Sequence, residues 1–168
     1  MTVSEEPAKL GDHQRTERLS HALYGLIIVT AALVAEQEFV HDATEALLLL
    51  LSTALVLLLA HTYSAYMAER TVEGRPLSRV ARRLVVADNL PVLLAIVLPG
   101  LLFVLAGVGA IELHRAYNLS IAITVAALVG LGLYEGKAAS MSTGRTVLSG
   151  LSAGAIGVLI VAAEAFFE

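Results

Sequence analysis

A chain of 168 residues that is 57% hydrophobic with a net charge of -4 is too apolar for an ordinary water-soluble globule, and it is short enough for one membrane domain only. It contains no Cys, which excludes disulfides, thiolate metal ligands and haem thioether attachment.

Five apolar runs predict five transmembrane helices: Leu19 to Ala35, Ala46 to Met67, Leu90 to Ile111, Asn118 to Tyr134 and Val147 to Phe167. Each is long enough for a helix to cross a hydrocarbon core about 30 Å thick, where the backbone must close its own hydrogen bonds. Residues 1–18 read as a disordered cytoplasmic tail, and residues 19–168 as the membrane domain. The first run is longer than a signal core and lacks a small-residue cleavage site, so it is expected to be retained as a span. Threading the five runs leaves Lys9, Arg15, Arg18, Arg70, Arg75, Arg79, Arg82, Arg83, Lys137 and Arg145 on one side and Arg115 alone opposite. The positive-inside bias then places the amino terminus in the cytoplasm and the carboxyl terminus outside. The Ala, Leu, Val, Gly and Arg usage fits a multi-pass protein of a bacterial plasma membrane.

The first loop, Glu36 to Glu45, is acidic, and a helix cap is the expectation for Asp42. Between the second and third runs, Gly74, Arg75 and Pro76 stop one helix. A short amphipathic helix is expected at about 77–87, with Arg79, Arg82 and Arg83 facing anionic lipid headgroups. Asn89 is a candidate N-cap for the third span, with Pro91 in its first turn. Pro99 lies mid-span, where its ring nitrogen cannot donate to the Ala95 carbonyl. In the fifth run Gly150, Gly154 and Gly157, with Ser149 and Ala153, make a small-residue face for close helix approach, either within one chain or between copies in a homo-oligomer.

Ionisable residues inside spans are expensive, and each is a candidate functional group. They gather toward one end of the runs: His21 and Tyr24 in the first, His61, Tyr63, Tyr66, Met67 and Glu69 in the second, Asp88 and Asn89 before the third, Tyr134 and Glu135 in the fourth. The opposite half of the runs is nearly all apolar. Imidazole, carboxylate and thioether donors suit divalent iron, manganese or zinc to different degrees, so His21, His61, Met67, Glu69 and Asp88 are the candidate metal ligands. The alternative for each is an interfacial anchor whose side chain reaches water. No nucleotide-binding loop, nucleophile elbow or metalloprotease helix is present. Enzymatic activity, a resident cofactor and a nucleic-acid partner are therefore not expected.

The stretches Gly25 to Val34, Ser64 to Glu69, Pro99 to Leu105 and Leu148 to Val158 resemble the first, second, third and last spans of the vacuolar iron transporter family and its bacterial relatives. That resemblance implies five spans, an inner amino terminus and metal transport. Tyr24 stands where the family's first-span motif has an ion-binding Asp, and a short arginine-rich link replaces its glutamate-rich cytoplasmic helices. Matched residue by residue, the family's metal-binding positions fall on Met67 and Glu69, with His21 and Asp88 as substitutes. The leading expectation is transport of a cation, a divalent metal above all. The alternatives are an oligomeric cation channel and a non-transporting structural or assembly membrane protein.

Overall fold

A computed structural model of the chain describes residues 6–74, 78–80, 83, 86–87 and 90–167. Helices α1 (Glu6–Glu36) and α2 (Ala43–Glu73) are followed by a 3-10 turn at Leu90–Leu93, then α3 (Leu94–Gly107), α4 (Leu113–Ala138) and α5 (Thr143–Phe167). No strand occurs among the described residues. Four of the helices contain segments long and apolar enough to cross a membrane, at Leu19–Glu36, Ala43–Val72, Leu113–Ala138 and Thr143–Ala163.

The third element departs from its expected span of Leu90 to Ile111. Its α-helix has 14 residues and stops at Gly107, because Gly109 adopts a left-handed φ of 76° that closes the helix end. The amides of Ala110 and Gly109 bond back to the carbonyls of Leu105 and Ala106, each at 2.9 Å, which is the Schellman pattern. The turn at Leu90–Leu93 and α3 run on without a break, and together they extend roughly 29 Å.

At the other end of the chain, α1 begins at Glu6, within the stretch expected to be a disordered tail. Residues 6–18 include good helix formers such as Ala8, Lys9, Leu10 and Arg18. They continue an existing helix, so they avoid the cost of nucleating a new one. Helix α2 ends where the sequence placed its stop: Gly74 has φ 65° and its amide bonds to the Arg70 carbonyl at 3.0 Å. Within the expected interfacial helix, Arg79, Val80, Arg83, Val86 and Ala87 are helical and exposed. Arg82, like Asp88 and Asn89, lies outside the described residues.

Helices consecutive in the chain run antiparallel, with α2, α3, α4 and α5 packed in sequence around α1. Positions where a glycine faces a neighbour fix the register. Gly107 meets Ala43 and Gly100 meets Leu47 and Leu50 between α3 and α2, while Gly136 meets Thr146 and Gly157 meets Val125 between α4 and α5. The most extensive interface joins α4 to α5. The small-residue face of α5 is therefore used inside the chain, against α4.

The buried core is modest, centred on Val29, Leu33, Leu50, Phe103, Tyr117 and Leu128. Phe103 and Tyr117 meet edge to face, with ring centroids 4.8 Å apart. Outside it, Leu48, Leu51, Leu55 and Leu59 on α2, Leu94, Val97, Leu98 and Leu101 on α3, and Leu148, Leu151 and Leu159 on α5 are all exposed. So large a continuous apolar exterior is suited to lipid rather than water. Together with the four long apolar helices it marks a multi-pass membrane protein.

Candidate cation site

The end of the bundle that carries His21 and His61 brings α1 and α2 together through their aromatic side chains. The His21 and His61 rings meet edge to face with centroids 5.4 Å apart, and Tyr24 meets His61 at 4.9 Å. Tyr24 lies three residues after His21, so one face of α1 carries both rings toward α2.

The hydrogen bonding of this group leaves lone pairs available. Nδ1 of His61 lies 2.9 Å from the Leu57 carbonyl oxygen. A carbonyl only accepts, so in the neutral ring Nδ1 carries the proton and Nε2 keeps its lone pair. Nδ1 of His21 is buried and has no partner among the described residues, and the same holds for the Thr62 hydroxyl beside His61. Two imidazoles on facing helices with uncommitted nitrogen atoms are suited to sharing a borderline-soft cation or a proton.

Of the other expected ligands, Met67 and Glu69 do not join this pair in one cage. Met67 and Glu69 are both exposed, and Glu69 lies two helical turns beyond His61, about 12 Å along the axis. Asp88 lies outside the described residues. Among the described residues no three His, Asp or Glu side chains gather closely enough to hold a metal ion. Tyr134 and Glu135 of α4 are exposed.

The opposite half of the bundle is apolar on its outside but not throughout its interior. The buried face of α4 consists of Ala116, Tyr117, Ser120, Thr124, Leu128, Gly132 and Gly136. It packs on α1, where Thr30 is also fully buried. The spacing of three and four residues that links Tyr117, Ser120 and Thr124 was the available signal, but a span starting at Asn118 cuts across it. Thr30 and Thr124 satisfy their hydroxyls on their own helices, donating to the carbonyls of Leu26 at 2.7 Å and Ile121 at 2.9 Å.

No protein-family model, curated protein or solved structure matches the chain.

Proposed function

We propose that this protein carries a cation across the membrane, with a divalent metal such as iron or manganese as cargo, by exchange or facilitated diffusion. The observation that carries the proposal is the contact between His21 and His61, partly buried between two spanning helices with imidazole nitrogens uncommitted. In this reading the two rings and Tyr24 are the cargo's stopping point. Met67 and Glu69, exposed further along α2, lie on the approach. The Ala, Leu, Val, Gly and Arg usage favours a bacterial plasma membrane, and the Lys and Arg distribution favours a histidine end facing the cytoplasm, where Arg79, Arg82 and Arg83 would meet anionic headgroups. The likeness of four stretches to the vacuolar iron transporter family points the same way.

The test is uptake of iron, manganese and zinc into liposomes containing the purified protein. His21→Ala and His61→Ala should each reduce uptake at least tenfold without changing membrane insertion. Protons compete with the metal for imidazole lone pairs, so uptake should also fall on acidification. A parent protein that moves none of the three metals, or histidine variants that move them at the parent rate, would overturn the proposal.

A further inference from the structure

At the end of the bundle opposite His21 and His61, three buried oxygen atoms stand apart from the hydroxyls that bond back to their own helix. Hydroxyls in an apolar bundle commonly bond back to their own helix, as Thr30, Thr124, Ser52 and Ser152 do here. Ser120 and Tyr117 do not. Ser120 is fully buried and Tyr117 is 1% exposed, yet neither hydroxyl has a partner among the described residues. One carboxylate oxygen of Glu36, the last residue of α1, is likewise buried and without a partner among the described residues. Such atoms in a folded protein call for an explanation, and a bound ion or water is the ordinary one.

These groups belong to two packed helices. Tyr117 and Ser120 lie one turn apart on the buried face of α4, and α4 packs on α1. Glu36 ends α1 at the end of the bundle where α4 begins, and Phe103 of α3 meets the Tyr117 ring edge to face there. The base nearest in sequence, Arg115, is turned outward to Glu112 at 3.3 Å, and the histidines of this end, His41 and His114, are exposed.

We propose that Glu36, Tyr117 and Ser120 form an oxygen-lined site for a small, hard monovalent cation such as sodium or lithium. The donors are a carboxylate and two neutral hydroxyls, each hydroxyl able to offer a lone pair while its proton turns away. Oxygen donors without imidazole or thioether favour hard cations over transition metals. One formal negative charge within the group matches one positive charge. The purpose of the site, to hold the ion exchanged against the metal cargo, rests on the transport reading; its existence does not.

The test is thermal unfolding of the purified full chain in sodium, lithium or choline chloride at matched ionic strength and pH. A cation tenfold above its Kd should raise Tm by about 3–6 °C over choline. Glu36→Gln, Ser120→Ala and Tyr117→Phe should each remove that rise, and Tyr117→Phe keeps the ring packed on Phe103. Equal Tm values in all three salts would overturn the site, as would an undiminished sodium effect in Glu36→Gln. A Tm that follows pH identically in sodium and choline would also overturn it, by making the group a proton site. His61→Ala should keep the sodium effect while losing metal uptake. A sodium effect without metal uptake in the parent therefore defeats the transport reading alone, and uptake without a sodium effect defeats this site alone.

Discussion

Two helix ends in this protein use the same hydrogen-bond closure with different residues. At the end of α3 the left-handed position is Gly109; at the end of α4 it is Ser140, with φ 52°. There the amides of Met141 and Ser140 bond to the carbonyls of Gly136 and Lys137, each at 3.0 Å. A side chain in this conformation crowds the following carbonyl, at a cost of about 1–2 kcal/mol. Ser140→Gly should therefore stabilise the fold by up to about 1 kcal/mol after the added freedom of the unfolded chain is counted. A thermal unfolding midpoint at or below the parent's would show that the Ser140 side chain compensates locally. Asp42 offers a residue-scale test by pH. Its carboxylate accepts the amides of Glu45 at 3.1 Å and Thr44 at 2.8 Å, and these bonds hold it below the usual carboxylate range. A lowered folded value means that the cap contributes fully above the ordinary carboxylate range and is lost as pH falls through the lower folded value. The stability gap between the parent and Asp42→Asn should accordingly be constant near neutral pH and shrink on acidification. A gap unchanged down to about pH 2 would contradict the cap's role.

At the scale of elements, α4 and α5 hold together through missing side chains. A Cβ placed on Gly132 would come within 2.6 Å of the Ser149 carbonyl oxygen, and one on Gly136 within 2.7 Å of the Thr146 Cα. Backbone cannot give way as a flexible side chain can. On α5, Gly150 and Gly154 instead face the side chains of Leu133 and Val129, at 2.7 and 2.5 Å from the Cβ position. Small residues four apart on both helices thus let the backbones meet, which supplies packing where lipid provides no hydrophobic drive. Gly132→Ala should cost about 1–3 kcal/mol by overpacking. Gly130, two residues away on the same helix, has nothing within 4 Å of its Cβ position. Gly130→Ala should be neutral or stabilising by up to about 1 kcal/mol. Equal effects of the two substitutions on thermal or denaturant unfolding in detergent would mean that helix propensity, and not the interface, sets the response.

For the whole molecule, the alternation of helices turns the Lys and Arg count into a testable orientation. The chain has no Cys of its own, so a single introduced thiol reports its side without background. Cysteine at Ser78 should react with an impermeant reagent only from the cytoplasm, and cysteine at His41 only from outside. Labelling of both from one face of the membrane would show that α2 does not cross and would end the alternating arrangement.

The helices, the ends of α2 and the apolar exterior were legible in the sequence because they depend on local chemistry: long runs without charge, Asp42 before one helix and Gly74 after it, and the backbone's need to bond within itself. The early stop of α3 was less so, since Val108 to Ile111 is as apolar as the helix before it and only the left-handed turn at Gly109 separates them. Convergence of side chains was beyond local reading. Residues at one depth can face different neighbours, and the rotation of each helix decides which ones meet. That rotation brings His21, Tyr24 and His61 together, leaves Met67 and Glu69 outside, and buries Tyr117 and Ser120 in a half that looked uniformly greasy. It also sets the glycines of α5 against those of α4 within one chain. Hydropathy and charge along the chain thus determined what enters the membrane; helix packing decided which polar groups share its interior, because contact depends on azimuth as well as depth.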